Sequence, residues 1–135
     1  VYYPTLLMTE IDLPYVHITY TEPIVYFRYK CGIELGFPEI KELIACAEKL
    51  SDYKPYVTCS DVRIHDDIKI TPEGKRVLSD PNNLPYFRGT AALVKNNIYK
   101  FAADFMNVFN KPNYPFKAFV KEEEAIEWLL SLPRD

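Results

Sequence analysis

At 135 residues, with 48 % hydrophobic and 26 % charged positions, the chain has the size and composition of one folded unit, which excludes the disordered and fibrous classes. A net charge of −3 and an isoelectric point near 5.4 offer no general attraction for phosphate backbones or anionic headgroups, so nucleic acid is not an expected partner. No apolar run reaches the roughly 20 residues that span a bilayer, and the first residues lack the order of a signal peptide, so the expectation is a cytoplasmic protein without membrane insertion.

Residues before about Glu10 carry no assignable pattern. From Tyr15 to Tyr20 the alternation puts Val16, Ile18 and Tyr20 on one face, and Ile24 to Cys31 alternates aromatic with charged residues, so two strands are expected. The short Thr21-Glu22-Pro23 link favours an antiparallel hairpin. Gly36-Phe-Pro-Glu39 is a helix start, followed by Ile40, Leu43, Ile44, Ala47 and Leu50 at helical spacing. Tyr53 to Cys59 reads as a buried strand, and a polar turn over Ser60 to Asp67 follows it. Thr71 is placed to cap a short second helix that opens with Pro72 and ends near Ser79-Asp80-Pro81. Phe87 to Val94 is the next strand, and Asn96 or Asn97 can cap a third helix. Ile98, Phe101, Ala102, Phe105, Val108 and Phe109 form the core-facing side of that helix, while Tyr99, Ala103 and Met106 widen its apolar surface beyond one face. Asn110 to Asn113 breaks it, Phe116 to Val120 is a strand, and Glu122, Glu123 and Glu124 favour the start of a last helix carrying Ala125, Trp128, Leu129 and Leu132.

The expected fold is therefore α/β, one domain over residues 1–135 with its core at about 12–132. Its order is β-β-α-β-α-β-α-β-α, a mixed, mostly parallel five-stranded sheet with four helices. Cys31, Cys46 and Cys59 are odd in number, have no CxxC spacing and lie in apolar stretches, so reduced, buried thiols are expected.

Four phrases carry a family resemblance: Gly36-Phe-Pro-Glu-Ile-Lys-Glu-Leu-Ile44, Cys59-Ser-Asp-Val-Arg63, Asn110-Lys-Pro-Asn-Tyr-Pro-Phe116 and Glu122-Glu-Glu-Ala-Ile-Glu-Trp-Leu129. In these phrases and in element order the chain resembles the STAS fold of bacterial anti-sigma-factor antagonists, and more closely a group of uncharacterised STAS-like proteins. The resemblance implies a non-catalytic regulatory module that recognises a protein partner, with a homodimer as one form of that contact. In the phosphorylated members an Asp-Ser pair receives the phosphate; here Ser60 precedes Asp61, which departs from that order.

Several residues are candidates for chemistry or contact. Asp61 and Arg63 fall at the carboxyl end of a strand, where open α/β sheets place their ligand crevices, and with His65 they could line a binding surface. Ser60 and Thr71 flank the segment where the resemblance puts regulation, and Tyr99 and Met106 offer apolar area to a second protomer or to a small apolar ligand. Ser60, Asp61 and His65 supply the residue types of a triad but no GxSxG elbow. His17 and His65 lack metal-ligand spacing, the His65-Asp66-Asp67 run reads as a hydrated loop, and no glycine-rich phosphate cradle occurs, so no cofactor is expected. The alternative to the regulatory module is a carrier or sensor of a small apolar ligand. Enzymatic action would need a cleft that brings His17 or His65 against a carboxylate.

Overall fold

The computed structural model describes residues 9–65, 67–109 and 112–135, with the side chains of residues 105 and 107–109 outside the description. Asp66, Asn110 and Lys111, expected in a hydrated loop and at a helix break, lie outside the described residues, as do the side chains of Phe105, Val108 and Phe109.

Among the described residues, eight strands and four helices follow in the order β1 (Glu10–Asp12), β2 (Val16–Thr21), β3 (Ile24–Tyr29), β4 (Ile33–Leu35), α1 (Phe37–Leu50), β5 (Tyr56–Asp61), β6 (Ile68–Ile70), α2 (Pro72–Ser79), β7 (Phe87–Leu93), α3 (Asn97–Phe109), β8 (Phe116–Phe119) and α4 (Glu122–Ser131), with a short 3-10 turn at Pro81–Asn83. Six strands form one sheet in the order β1-β2-β3-β5-β7-β8; β4 and β6 form a separate parallel pair. The β1-β2 and β2-β3 ladders are antiparallel and the other three in the large sheet are parallel. The expected class and helix number hold, but the large sheet has six strands rather than five and a second small sheet exists. The three additional strands, β1, β4 and β6, are three residues each, too short for period-2 alternation to register.

Local signals account for the element starts. The hairpin turns between Thr21 and Ile24, which face each other across its end. The Glu39 carboxylate accepts from the Gly36 amide at 2.8 Å, so a side chain satisfies one donor at the entry to α1. Thr71 caps α2 by accepting from the Gly74 amide at 3.2 Å, and Asn96 caps α3 by accepting from Ile98 at 3.0 Å and Tyr99 at 3.2 Å.

Parallel crossovers of the usual right hand put α1, α2 and α3 on one face of the sheet, and the chain after β8 returns as α4 on the other. Under α1 and α2, Val25 and Phe27 of the sheet meet Ile40, Leu43, Ala47 and Val77. Under α4, Val57, Cys59, Ala91, Leu93 and Phe119 meet Ala125 and Leu129.

Two expectations are corrected. Only Cys59 is buried; Cys46 is half-buried and Cys31, in the turn that follows β3, is exposed, because the apolar run ends with the strand. On α3 two described residues of the expected inner side face out, Ile98 at 79 % and Phe101 at 73 % exposed, whereas Ala103 is half-buried. Periodicity finds an apolar stripe but does not say which part of a broad stripe meets the sheet.

Candidate functional site

The strands β5 and β7 are neighbouring inner strands of the large sheet, and their alternate side chains serve different faces. In β5, Val57 and Cys59 point to α4, while Tyr56, Thr58 and Ser60 point to α1 and α2. In β7, Ala91 and Leu93 point to α4, and Thr90 and Ala92 point the other way. Strict alternation would put Phe87 and Thr90, three residues apart, on opposite faces. They share one because the ladder slips: Tyr56 faces Phe87 and Thr58 faces Thr90, so β7 spends one extra residue over that interval. Gly89 sits in this bulge at φ +151°, a conformation that glycine adopts and L side chains rarely do, and a Cβ there would stand 2.7 Å from Leu132 Cδ1.

The result is a chamber of about 370 Å³ between the sheet and the first two helices. Its floor is Phe27, Thr58, Ser60, Thr90 and Ala92; Ile40, Leu43 and Ala47 of α1 and Leu78 of α2 form the roof. Small side chains at Ser60, Thr90 and Ala92 leave the space that larger ones fill elsewhere in the core. Thr58 and Thr90 share a hydrogen bond between their hydroxyls at 2.7 Å, while the Ser60 hydroxyl has no partner among the described residues. Burial pushes the phenols of Tyr29, Tyr56 and Tyr114, which also line the chamber, above their ordinary value, so they remain neutral. The interior thus offers apolar wall and a few uncharged hydrogen-bonding groups, the make-up of a small-molecule site, in the usual size range of roughly 300–1,000 Å³.

A second, wider space of about 640 Å³ opens between α2 and α3 and is lined by Lys75, Ala103, Met106 and Asn113 among others. Ile70, Leu78, Tyr114 and Phe116 border both spaces, so the groove adjoins the inner cavity.

The seven residues singled out in the sequence are divided among separate places. Ser60 faces the inner chamber and Met106 the outer groove. Tyr99, 38 % exposed, lies in the first turn of α3 with the Lys95 ammonium 4.7 Å from its ring centroid. Thr71 is the cap of α2. Asp61 and Arg63 are on the opposite side of the sheet from Ser60, where Asp61 takes two side-chain hydrogen bonds from Arg63 at 2.9 and 2.7 Å and one from its backbone amide at 3.1 Å. Glu122 at the start of α4 lies 3.4 Å from both Arg63 and Arg28, closing a cluster with two cations and two anions. His65 does not join it. With Ser60 and Asp61 on opposite faces, the triad types in this segment have no common site. Burial pulls the Asp61 carboxyl up, but the hydrogen bonds from Arg63 outweigh it and hold the group below the ordinary carboxylate range. Next to this cluster, burial and the nearby carboxylates push the Cys59 thiol up to about 12, which keeps it a neutral, packed side chain.

His17 meets Asp12 at 3.0 Å and Glu10 at 3.4 Å on the open edge formed by β1 and β2, not in a cleft. Among the described residues no three His, Cys, Asp or Glu side chains are grouped as for a metal ion, and no helix is long and apolar enough to cross a membrane. Sequence reading found Ser60 and Met106 but missed the chamber, because Thr58, Thr90, Ala92 and Leu78 carry no local mark of a common site.

A family model described as a domain of unknown function (DUF7793) matches residues 18–132. Among solved structures, the chain is similar to an uncharacterised protein of the DUF3478 family with a SpoIIAA-like fold from Shewanella loihica PV-4. The TM-score is 0.53 at 17 % sequence identity, covering 84 % of this chain and 91 % of that one. This likeness establishes the fold class and agrees with the STAS-like resemblance in the sequence. No curated protein matches the chain.

Proposed function

The chain belongs to the family of domains of unknown function DUF7793, and from that premise we propose that it is a non-catalytic domain that binds a small, largely apolar molecule between its sheet and helices. The observation that supports this reading is the chamber of about 370 Å³, adjoining the α2-α3 groove and floored by Thr58, Ser60, Thr90 and Ala92. A void of that size lined only by apolar groups would cost packing energy with no return, whereas hydroxyls on its floor give a ligand something to orient against. The absence of a charged catalytic pair facing the chamber among the described residues fits binding better than turnover. Three unpaired thiols fit a reducing, cytoplasmic setting.

The test is titration with the neutral fluorophore N-phenyl-1-naphthylamine. Saturable one-to-one binding by the wild type, lost in an Ala92→Leu variant that keeps its circular dichroism spectrum, is the expected result. Absence of saturable binding, or binding unaffected by filling the chamber, overturns the reading.

A second reading, the regulatory protein-interaction module, is supported by α3, where Ile98 and Phe101 stand 79 % and 73 % exposed beside Met106 at 53 %. In its self-association form it predicts a wild-type dimer and a monomeric Met106→Lys variant by analytical ultracentrifugation; identical monomers would remove that form.

A further inference from the structure

Resting on the chamber as a ligand site, we infer that the ligand is an amphipath with a single carboxylate on a linear acyl chain, its head at Lys75 and its tail in the inner cavity. Ile70, Leu78, Tyr114 and Phe116 line both spaces, so the two adjoin over these side chains and together extend from the α1 side of the sheet to the α2-α3 opening. Two adjoining spaces of this extent suit a chain better than a compact ring system. Charge along these spaces is one-sided. Among the described residues no carboxylate lines either space, the inner lining carries no charged side chain, and the outer lining carries one, Lys75. The Lys75 side chain is exposed and has neither an ion-pair nor a hydrogen-bond partner among the described residues, so its ammonium is available at the mouth. One cation among the described residues, at the wet end of two apolar spaces, complements a monoanionic head rather than a multiply charged phosphate, for which a fork of arginines or several backbone amides is the usual provision. The chain end then lies over the neutral hydroxyls of Thr58, Ser60 and Thr90, which tolerate methylenes without leaving a buried charge.

Competition against N-phenyl-1-naphthylamine tests the inference with decanoate, 1-decanol and decyltrimethylammonium as probes. Decanoate is expected to displace the fluorophore at the lowest concentration and decyltrimethylammonium at the highest. Lys75→Gln should weaken decanoate by about three- to tenfold, an exposed charge-assisted contact, and leave the fluorophore and decanol unchanged; Lys75→Arg should retain decanoate. The decanoate preference should shrink as salt rises. If the fluorophore binds in the chamber but decanol matches decanoate, or Lys75→Gln leaves decanoate untouched, the head-group inference falls and the chamber reading stands. If the fluorophore does not bind at all, the chamber reading falls first.

Discussion

On the face covered by α4, Val57, Cys59, Ala91 and Leu93 are at most 1 % exposed and interlock with Ala125 and Leu129, both fully buried. One residue along the same two strands, Thr58, Ser60, Thr90 and Ala92 look into a cavity. The backbone is common to both faces, so the difference lies in side-chain size and in what the helices bring. Ala125 lets α4 approach closely and Leu129 fills the remaining depth, whereas α1 and α2 meet small, partly polar residues that cannot reach them. A sheet core can therefore be hollowed on one side without loosening the other.

The largest effect that this contrast predicts is on the filled face. Leu129→Ala should cost about 3 kcal/mol, because a fully buried leucine leaves a void that its neighbours close only in part. Urea unfolding measures it, and a loss below about 1 kcal/mol would mean that the α4 face is not the tighter one. A pair of adjacent substitutions sharpens the comparison. Ala91→Leu forces extra volume into the packed side and should destabilise by about 1–3 kcal/mol. Ala92→Leu enters the chamber and should shift stability by less than about 1 kcal/mol in either direction, since buried apolar area offsets local strain. Equal costs for the two would show that the chamber closes in solution.

The smallest effect concerns the rim. Asp61 has its folded-state carboxyl held below the ordinary value despite burial, through Arg63. A depressed carboxylate contributes stability above its unfolded pKa, about 3.9, and that contribution is lost as pH falls through the folded value. Wild type should thus lose stability more steeply than Asp61→Asn as pH falls below about 4, by a small margin because Arg63 is partly exposed and screened. Superimposable urea midpoints for the two across that range would show that the pair adds nothing to folding.

Much of the scaffold was legible in the residues. The hairpin at Thr21 to Ile24, the Thr71 and Asn96 caps, and the helices of ten residues and more with regular apolar spacing announce themselves locally. The three-residue strands β4 and β6 could not, since their existence depends on a partner distant in sequence: Ile33 to Leu35 is a strand because Ile68 to Ile70 lies beside it. The site was harder still. Its floor depends on the extra residue in β7, which turns Phe87 and Thr90 to the same side, and the only written sign of that slip is a glycine in a β-prone run. The outward turn of Ile98 and Phe101 was equally hidden, because a broad apolar stripe permits more than one rotation of the helix about its axis.

The β4-β6 pair has a mechanical consequence. Each strand runs straight into a helix, β4 into α1 and β6 into α2, and the Thr71 amide donates to the Leu35 carbonyl at 3.0 Å where the two meet. Gly74 in α2 lies so close to that carbonyl that a Cβ would stand 2.6 Å from it. The two helices share one footing and form a fixed jaw, while α3 stands on β8, outside that footing. In the proposed binding mode, any widening to admit a bulkier guest has to come from the α3 side, so the reach of α3, rather than the firmness of the roof, would set the upper size of that guest.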